Sequence, residues 1–223
     1  METALAPDAT ASLDLPVPVT WGQAFGESYL AVEVLADRFR TIRDPAGRSE
    51  VVVGWGAGAA ASRQRMEADW QRLAERAAEG FGFGAVHAVV WPDPWLDGIE
   101  EQEKAAERDL RQFAERGTRP VVVPFHLGKK LDSMMSFTAS LRRLLPACVE
   151  LTDGEVTPHP AVATWMAHEA NRFVPLRPEE IGVVFLAHGS DYHWNETMRE
   201  AVQPLAGRYK IEFAFCMADP PLV

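Results

Sequence analysis

The chain has 223 residues, of which 47% are hydrophobic and 24% charged, the composition of an ordinary soluble globular protein. Its net charge of −10 argues against a nucleic-acid partner, because such a partner needs a basic face. Residues 1–15 lack the features of a signal peptide, and no apolar run reaches the roughly 20 residues that span a bilayer. Two cysteines, Cys148 and Cys216, lie far apart in no metal-binding or redox motif. Together these features predict a cytoplasmic protein with no membrane partner.

Apolar periodicity predicts helices and strands that alternate along the chain after a loose tail over residues 1–18. The helices are expected over 28–42, 62–80, 100–116, 136–145 and 160–172, and the strands over 51–53, 85–91, 120–124, 148–151 and 181–187. Gly117 is expected to end the charged third helix as its C-cap. Because strands that alternate with helices require right-handed crossovers, the sequence predicts a parallel, three-layer α/β domain.

The most informative stretch is residues 181–193, where an apolar run ends in His188-Gly189-Ser190. In parallel sheets, ligands bind where strands end and helices begin, so a histidine at this point is placed for chemistry. Imidazole accepts protons near neutral pH and binds divalent metal ions. Gly189 allows a sharp turn, while Ser190 or Asp191 is expected to cap the next helix.

The chain also contains an internal repeat. The apolar strand before Trp55 matches the one before His188, so that the tryptophan stands where the histidine would be. Downstream, residues 87–96 match residues 213–222 and share an alanine and an Asp-Pro pair. The first copy continues through two more strands and the second does not. The second unit is therefore a βαβ half-module or part of a longer protein, and the latter is favoured because so short a parallel unit exposes an apolar edge.

These residues resemble the class II chelatases, the sirohydrochlorin cobaltochelatase and ferrochelatase group (CbiX/SirB-like). The likeness is most specific in Ile-Gly-Val-Val-Phe-Leu-Ala-His-Gly-Ser from Ile181, a helix with Asn195, and Ile-Glu-Phe-Ala-Phe-Cys-Met-Ala-Asp-Pro-Pro-Leu from Ile211. In the first copy, residues 120–128 are similar to the family's third strand and loop, and residues 157–160 to its closing segment.

The resemblance implies a chelatase-like (flavodoxin-like) parallel sheet flanked by helices, as one full module and a βαβ half-module. The expected divisions are a flexible tail over 1–18, a module with a degenerate first motif over 19–174, and the first half of a second module over 175–223. The implied activity is that of a lyase that inserts a divalent metal ion into sirohydrochlorin or a related ring, in cobalamin or siroheme biosynthesis. Co²⁺, Fe²⁺ or Ni²⁺ would be a substrate, and no organic cofactor is evident.

The resemblance also implies roles for individual residues. His188 would be the catalytic base and a metal ligand, and His126 a second metal ligand. Lys129, Lys130 and Ser190 would bind the tetrapyrrole. The alternatives are an ordinary polar loop around His126 and the lysines, and a capping role for Ser190.

This sequence departs from the family pattern at two points. The family expects one histidine after the first strand and a second after the third strand. The first copy has Trp55 at the former position and no histidine near Leu131-Asp132, where the latter falls. An alternative function is therefore a catalytically silent module that binds a metal ion or tetrapyrrole, or acts as a scaffold. Besides a tetrapyrrole, a second copy of the chain or a continuation that completes the second module is a candidate partner.

The remaining histidines have simpler interpretations. His87 lies inside a strand pattern and is expected in the core, whereas His159 and His168 are expected to be structural or exposed. The glycine-rich residues 54–58 lack the ending of a phosphate-binding loop and the third glycine of a dinucleotide fingerprint.

Overall fold

The computed structural model describes residues 19–56, 60–92, 100–125, 137–152, 159–173, 176–187 and 192–215. Within these ranges the chain forms six α-helices and six strands. The helices are α1 (Tyr29–Phe39), α2 (Ala60–Ala78), α3 (Glu100–Arg116), α4 (Phe137–Leu144), α5 (Pro160–Ala170) and α6 (Tyr192–Val202). The strands are β1 (Ser49–Gly56), β2 (Ala85–Pro92), β3 (Val121–Pro124), β4 (Glu150–Leu151), β5 (Gly182–Ala187) and β6 (Lys210–Phe215).

The first four strands form one parallel sheet in the order β2-β1-β3-β4, and β5 and β6 form a second parallel pair. The order of the larger sheet is typical of flavodoxin-like folds. It follows from crossovers that carry the chain first to one side of β1 and then to the other. The predicted α/β class, with a parallel sheet flanked by helices, is confirmed.

Local signals in the sequence set the ends of the helices. The Ser28 side chain accepts a hydrogen bond from the backbone N–H of Leu30 at 3.3 Å and so caps α1. Helix α3 has the predicted bounds, and the Gly117 N–H donates to the carbonyl of Phe113 at 2.8 Å, as a C-cap should. The acidic first turn of α3 complements the positive end of the helix dipole.

The larger sheet is buried on both faces, since successive strand residues point to opposite sides. Val52 packs into a cluster with α1, α2 and part of α5, whereas the next residue, Val53, packs into a second cluster with α3 and α4. Both valines are fully buried. Valine-rich runs without polar alternation are the sequence signature of such a strand, and β1 and β3 both carry one.

Helix α5 links the two sheets. Its Trp165 ring lies 5.5 Å from the ring of Phe25 in the first cluster and 6.3 Å from that of Phe185 in β5. A third cluster joins α5 and α6 to the same face of β5 and β6. The opposite face of β5 carries Val184 and Leu186, which are 59% and 41% exposed.

Arg48 holds the amino edge of the larger sheet together. It is 5% exposed, and its Nε and Nη1 donate to the carbonyls of Arg119 (2.9 Å) and Arg43 (3.1 Å). Its Nη2 lies 2.8 Å from Oε2 of Glu150 on β4. One side chain thus connects the segments that precede β1 and β3 to β4.

The predicted repeat is present in topology, but its residue match is displaced. Both β1-α2-β2 and β5-α6-β6 are strand–helix–strand units with parallel strands. The match of Trp55 with His188 also aligns Val51 with Val184. Because His87 is matched with Phe213, a strict repeat predicts that Val184 pairs with Phe213 if Val51 pairs with His87. Val51 does pair with His87, but Val184 pairs with Glu212. The second strands of the two units are therefore offset by one residue, which turns matched side chains to opposite faces.

Candidate functional site

The carboxyl ends of β1, β2 and β3 lie along one edge of the larger sheet, where the described side chains are aromatic. The Trp70 ring of α2 lies 5.0 Å from that of Phe125, edge to face at 81°. Trp91 at the end of β2 is 7% exposed and is paired in register with Trp55. Among the residues that the structure describes, this edge is therefore formed by packed aromatic rings.

Gly54 is required at this edge because the indole of Trp70 covers its Cα. A Cβ at this position would lie 2.7 Å from Cη2 of Trp70, closer than real side chains approach. The glycine after the valine run of β1 therefore serves close packing. In the sequence, Gly54 stands only as part of a glycine-rich stretch that lacks the ending of a phosphate-binding loop.

All five predicted site residues, His126, Lys129, Lys130, His188 and Ser190, lie outside the described residues. The structure therefore gives no distance between any two of these residues. It does describe the elements that flank them in the sequence: β3 ends at Pro124 and α4 begins at Phe137, while β5 ends at Ala187 and α6 begins at Tyr192. Each residue thus belongs to a connection from the carboxyl end of a parallel strand to the next helix. Their roles stay predictions.

Helix α6, which follows the His-Gly-Ser stretch, buries two polar side chains. Asn195 and Thr197 are each 1% exposed, beside the fully buried Met198. Buried polar groups in a helix usually serve a hydrogen-bond network. The chelatase resemblance includes Asn195, whereas no local pattern in the sequence signals the burial of Thr197.

His159 is structural, as expected. Its Nδ1 accepts a hydrogen bond from the backbone N–H of Ala161 at 3.1 Å and so caps α5. Its Nε2 therefore carries the proton and donates to Oδ2 of Asp37, 3.1 Å away on α1. Burial raises the pKa of Asp37, but the hydrogen bond from His159 and the nearby Arg40 outweigh it and leave the pKa below its usual value.

Glu169 ties the segment before α1 to α5. Its Oε2 accepts hydrogen bonds from the backbone N–H of Gln23 and from Nη1 of Arg172, each at 2.8 Å. Burial raises the pKa of Glu169, but these two hydrogen bonds and the charge of Arg172 lower it by more, so that the pKa lies below its usual value.

The expectation that His87 is a core residue is wrong. It is exposed on β2, with its ring 5.7 Å from that of Phe113 on α3. The strand pattern around it is real, but β2 is the outer strand of the sheet, and sequence periodicity does not distinguish an edge strand from a central one. His168 is exposed, as expected, and lies 6.2 Å from the ring of Tyr29.

A groove of about 680 Å³ runs along the outer edge of β2, away from the carboxyl edge of the sheet. Among the described residues, no group of three histidine, cysteine, aspartate or glutamate side chains lies close enough to hold a metal ion. In the described part of the chain, no helix has the length and apolar character needed to cross a membrane.

The chain matches no protein-family model, no curated protein and no solved structure. The chelatase assignment therefore rests on the sequence resemblance described above and is a proposal.

Proposed function

We propose that this chain is a chelatase-like protein that inserts Co²⁺, Fe²⁺ or Ni²⁺ into sirohydrochlorin or a related tetrapyrrole. The observation that carries the proposal is the junction between β5 and α6. An apolar parallel strand ends at Ala187, immediately before His188-Gly-Ser, and a helix begins at Tyr192. Ligand sites of open α/β sheets form at such junctions, so the one histidine among the four residues between β5 and α6 falls where chemistry is expected.

The reaction needs a group that accepts protons and can hold a metal ion without trapping it. Two pyrrole N–H bonds break, the ion exchanges its water and imidazole ligands for the four ring nitrogens, and the two protons leave the ring, one to a base and one to solvent. In this proposal His188 accepts a pyrrole proton, and His188 with His126 hands over the ion. Two imidazoles leave the coordination sphere incomplete, which a site that releases its metal requires.

Substrate binding is assigned to the connection between β3 and α4. Lys129 and Lys130 would pair with the carboxylates of the tetrapyrrole, and Ser190 would contribute a hydroxyl from the connection after β5. The proposal also includes a cytoplasmic location, because the two cysteines form no sequence motif and Cys148 is an exposed free thiol.

The second candidate is a silent module of the same family that binds a metal ion or tetrapyrrole, or acts as a scaffold, without turnover. The observation in its favour is Trp55, which stands in the first repeat where the second has His188. Among the described residues at the same carboxyl edge, the rings of Trp70 and Phe125 pack 5.0 Å apart. Such an edge suits packing better than proton transfer.

Metal insertion is measured directly by mixing the purified chain with sirohydrochlorin and Co²⁺ and following the absorption of the macrocycle. The chelatase proposal expects a rate above the uncatalysed one that falls at least about tenfold in His188→Ala. His168→Ala is the matched control, because His168 is an exposed histidine on α5.

Two outcomes distinguish the candidates. A rate equal to the uncatalysed one, or one unchanged by His188→Ala, rejects the enzyme. The silent module is then supported if equilibrium dialysis detects binding of Co²⁺ or sirohydrochlorin, and rejected as a ligand-binding module if neither binds.

A further inference from the structure

Strand β2 is the edge of the larger sheet, and a side chain occupies the place of its missing neighbour. Nε2 of Gln71 on α2 donates to the carbonyl of Val86 at 2.9 Å, and its Oε1 accepts from the N–H of Ala88 at 2.9 Å. A residue of an adjacent strand would make the same two bonds. Backbone groups of alternate residues point to the same side of a strand, so Val86, Ala88 and Val90 present their N–H and C=O groups outward.

The groove beside this edge has walls from two helices. Glu67 and Gln71 of α2 form one wall, and Asp109, Phe113 and Arg116 of α3 form the other. Both helices run antiparallel to β2, so residues early in each helix lie toward the carboxyl end of the strand. On the α3 wall, Asp109 therefore lies toward the carboxyl end of β2 and Arg116 toward its amino end.

We propose that the edge of β2 is an interaction surface for a second copy of this chain, which adds its own β2 antiparallel about a two-fold axis at Ala88. The two four-stranded sheets would become one continuous sheet of eight strands. Ala88 would exchange two backbone hydrogen bonds with Ala88 of the second copy, and Val86 would pair with Val90. An isologous contact of this kind closes after two copies.

The charges on α3 fit this symmetry. A two-fold axis at Ala88 brings the carboxyl half of one β2 beside the amino half of the other, and so brings Asp109 of one copy toward Arg116 of the second. The midpoint between these residues along α3 falls at Gln112 and Phe113. The ring of Phe113 lies 5.7 Å from that of His87, next to the proposed axis. These two charges of α3 are therefore complementary across the proposed axis.

The dimensions of the edge also fit a second copy. Eight residues of extended strand are about 26 Å long, and a helix–sheet–helix sandwich is about 30 Å across. The edge thus offers roughly 800 Å² per partner, the size of a standard stable interface. A short side chain at Ala88 allows the α2 helices of the two copies to approach each other.

Gln71 must leave the edge when the second strand arrives, and an alternative acceptor for it is already in place. Its Nε2 lies 2.8 Å from Oε1 of Glu75, one turn further along α2. The amide can therefore release the backbone of β2 without losing all its partners. In the separate chain, the Gln71 amide forms hydrogen bonds with exposed backbone groups of β2 and so competes with the addition of a second strand.

Sedimentation equilibrium over a concentration series tests the proposal. We expect a reversible dimer whose Kd rises at least about 100-fold in Ala88→Pro, because proline removes the outward N–H donor but no bond of the β1–β2 ladder. Gln71→Ala is expected to lower the Kd, because the competing amide is gone. Concentration-dependent protection of the Ala88 and Val90 amides against hydrogen exchange is expected in parallel.

Charge reversal tests the same surface without changing β2. Asp109→Arg is expected to raise the Kd about tenfold or more, and the double variant with Arg116→Asp to restore it. Glu115→Arg, an exposed position of α3 outside the groove, is the matched control. A wild-type chain that stays monomeric to about 100 µM overturns the proposal. So does a dimer that is insensitive to both Ala88→Pro and Asp109→Arg. A dimer that forms only after Gln71→Ala also overturns it, since Gln71 would then be a permanent cap.

Discussion

Replacing Arg48 tests how the amino edge of the larger sheet is held. The guanidinium, 5% exposed, donates to the carbonyls of Arg119 and Arg43 and pairs with Glu150. Hydrogen bonds from a charged group contribute about 1.5–3 kcal/mol each, and the lower end applies here because both bonds are only partly buried. The carboxylate of Glu150 is 45% exposed, so its ion pair adds at most about 1 kcal/mol. We expect Arg48→Met to lower the free energy of unfolding by about 3 kcal/mol.

The assay is urea unfolding followed by tryptophan fluorescence and far-ultraviolet circular dichroism. Arg48→Met keeps most of the apolar stem, so the change in midpoint at constant slope reports the lost polar contacts. The control is Arg72→Met on α2, whose side chain is 67% exposed and paired with Asp69, and we expect about 0.5 kcal/mol or less. A loss below about 1 kcal/mol for Arg48→Met, or an equal loss for Arg72→Met, would refute the reasoning.

Three further substitutions or conditions test other contacts. Gly54→Ala is expected to destabilise the fold by about 1–3 kcal/mol, because the added Cβ would lie 2.7 Å from the Trp70 ring. His159→Ala is expected to cost about 1–2 kcal/mol through loss of the cap on α5, and His159→Asn less, since asparagine is a good N-cap. The lowered pKa values of Asp37 and Glu169 predict that their stabilisation is complete above about pH 5, where both carboxyls are ionised in the unfolded chain as well, and is lost as the pH falls through their folded-state pKa values.

Each of these has a matched control in the same unfolding assay. For Gly54→Ala it is Gly182→Ala, where a Cβ meets nothing within 4 Å, and an equal loss at both sites would contradict the packing argument. For His159→Ala it is His168→Ala on the exposed side of α5. For the pH dependence, Glu169→Gln should flatten the acid limb of the stability curve, whereas Glu79→Gln should leave it unchanged. Parallel acid limbs in the wild type and Glu169→Gln would argue against the assigned role.

Local signals in the sequence were sufficient to predict the elements and the fold class. The charged run with Gly117 behind it predicts α3 with its observed bounds, because capping and helical periodicity act over a few residues. Valine-rich runs that alternate with amphipathic helices predict a parallel, covered sheet. The strands are less well bounded: β1 extends over Ser49–Gly56, where only residues 51–53 were expected, since pairing with β2 and β3 lengthens it.

The candidate site was predictable only in the position of its residues along the chain. The His-Gly-Ser stretch after an apolar strand marks a strand-to-helix connection, and β5 ends at Ala187 as expected. Its companion residues come from other connections, and their distance from His188 depends on how those connections fold. No pattern within one segment specifies that distance.

What the sequence determined by itself, then, is which segments are helices and strands, that the strands are parallel and covered, and where along the chain the candidate histidine, His188, stands. The tertiary structure alone decided that β2 is an edge strand, that His87 on it is exposed, and that Gln71 occupies the place of a neighbouring strand. It also decided that Arg48 joins segments about 70 to 100 residues away in sequence. The physical reason is range: periodicity and capping are local, whereas strand order, register and buried polar contacts depend on residues distant in the sequence.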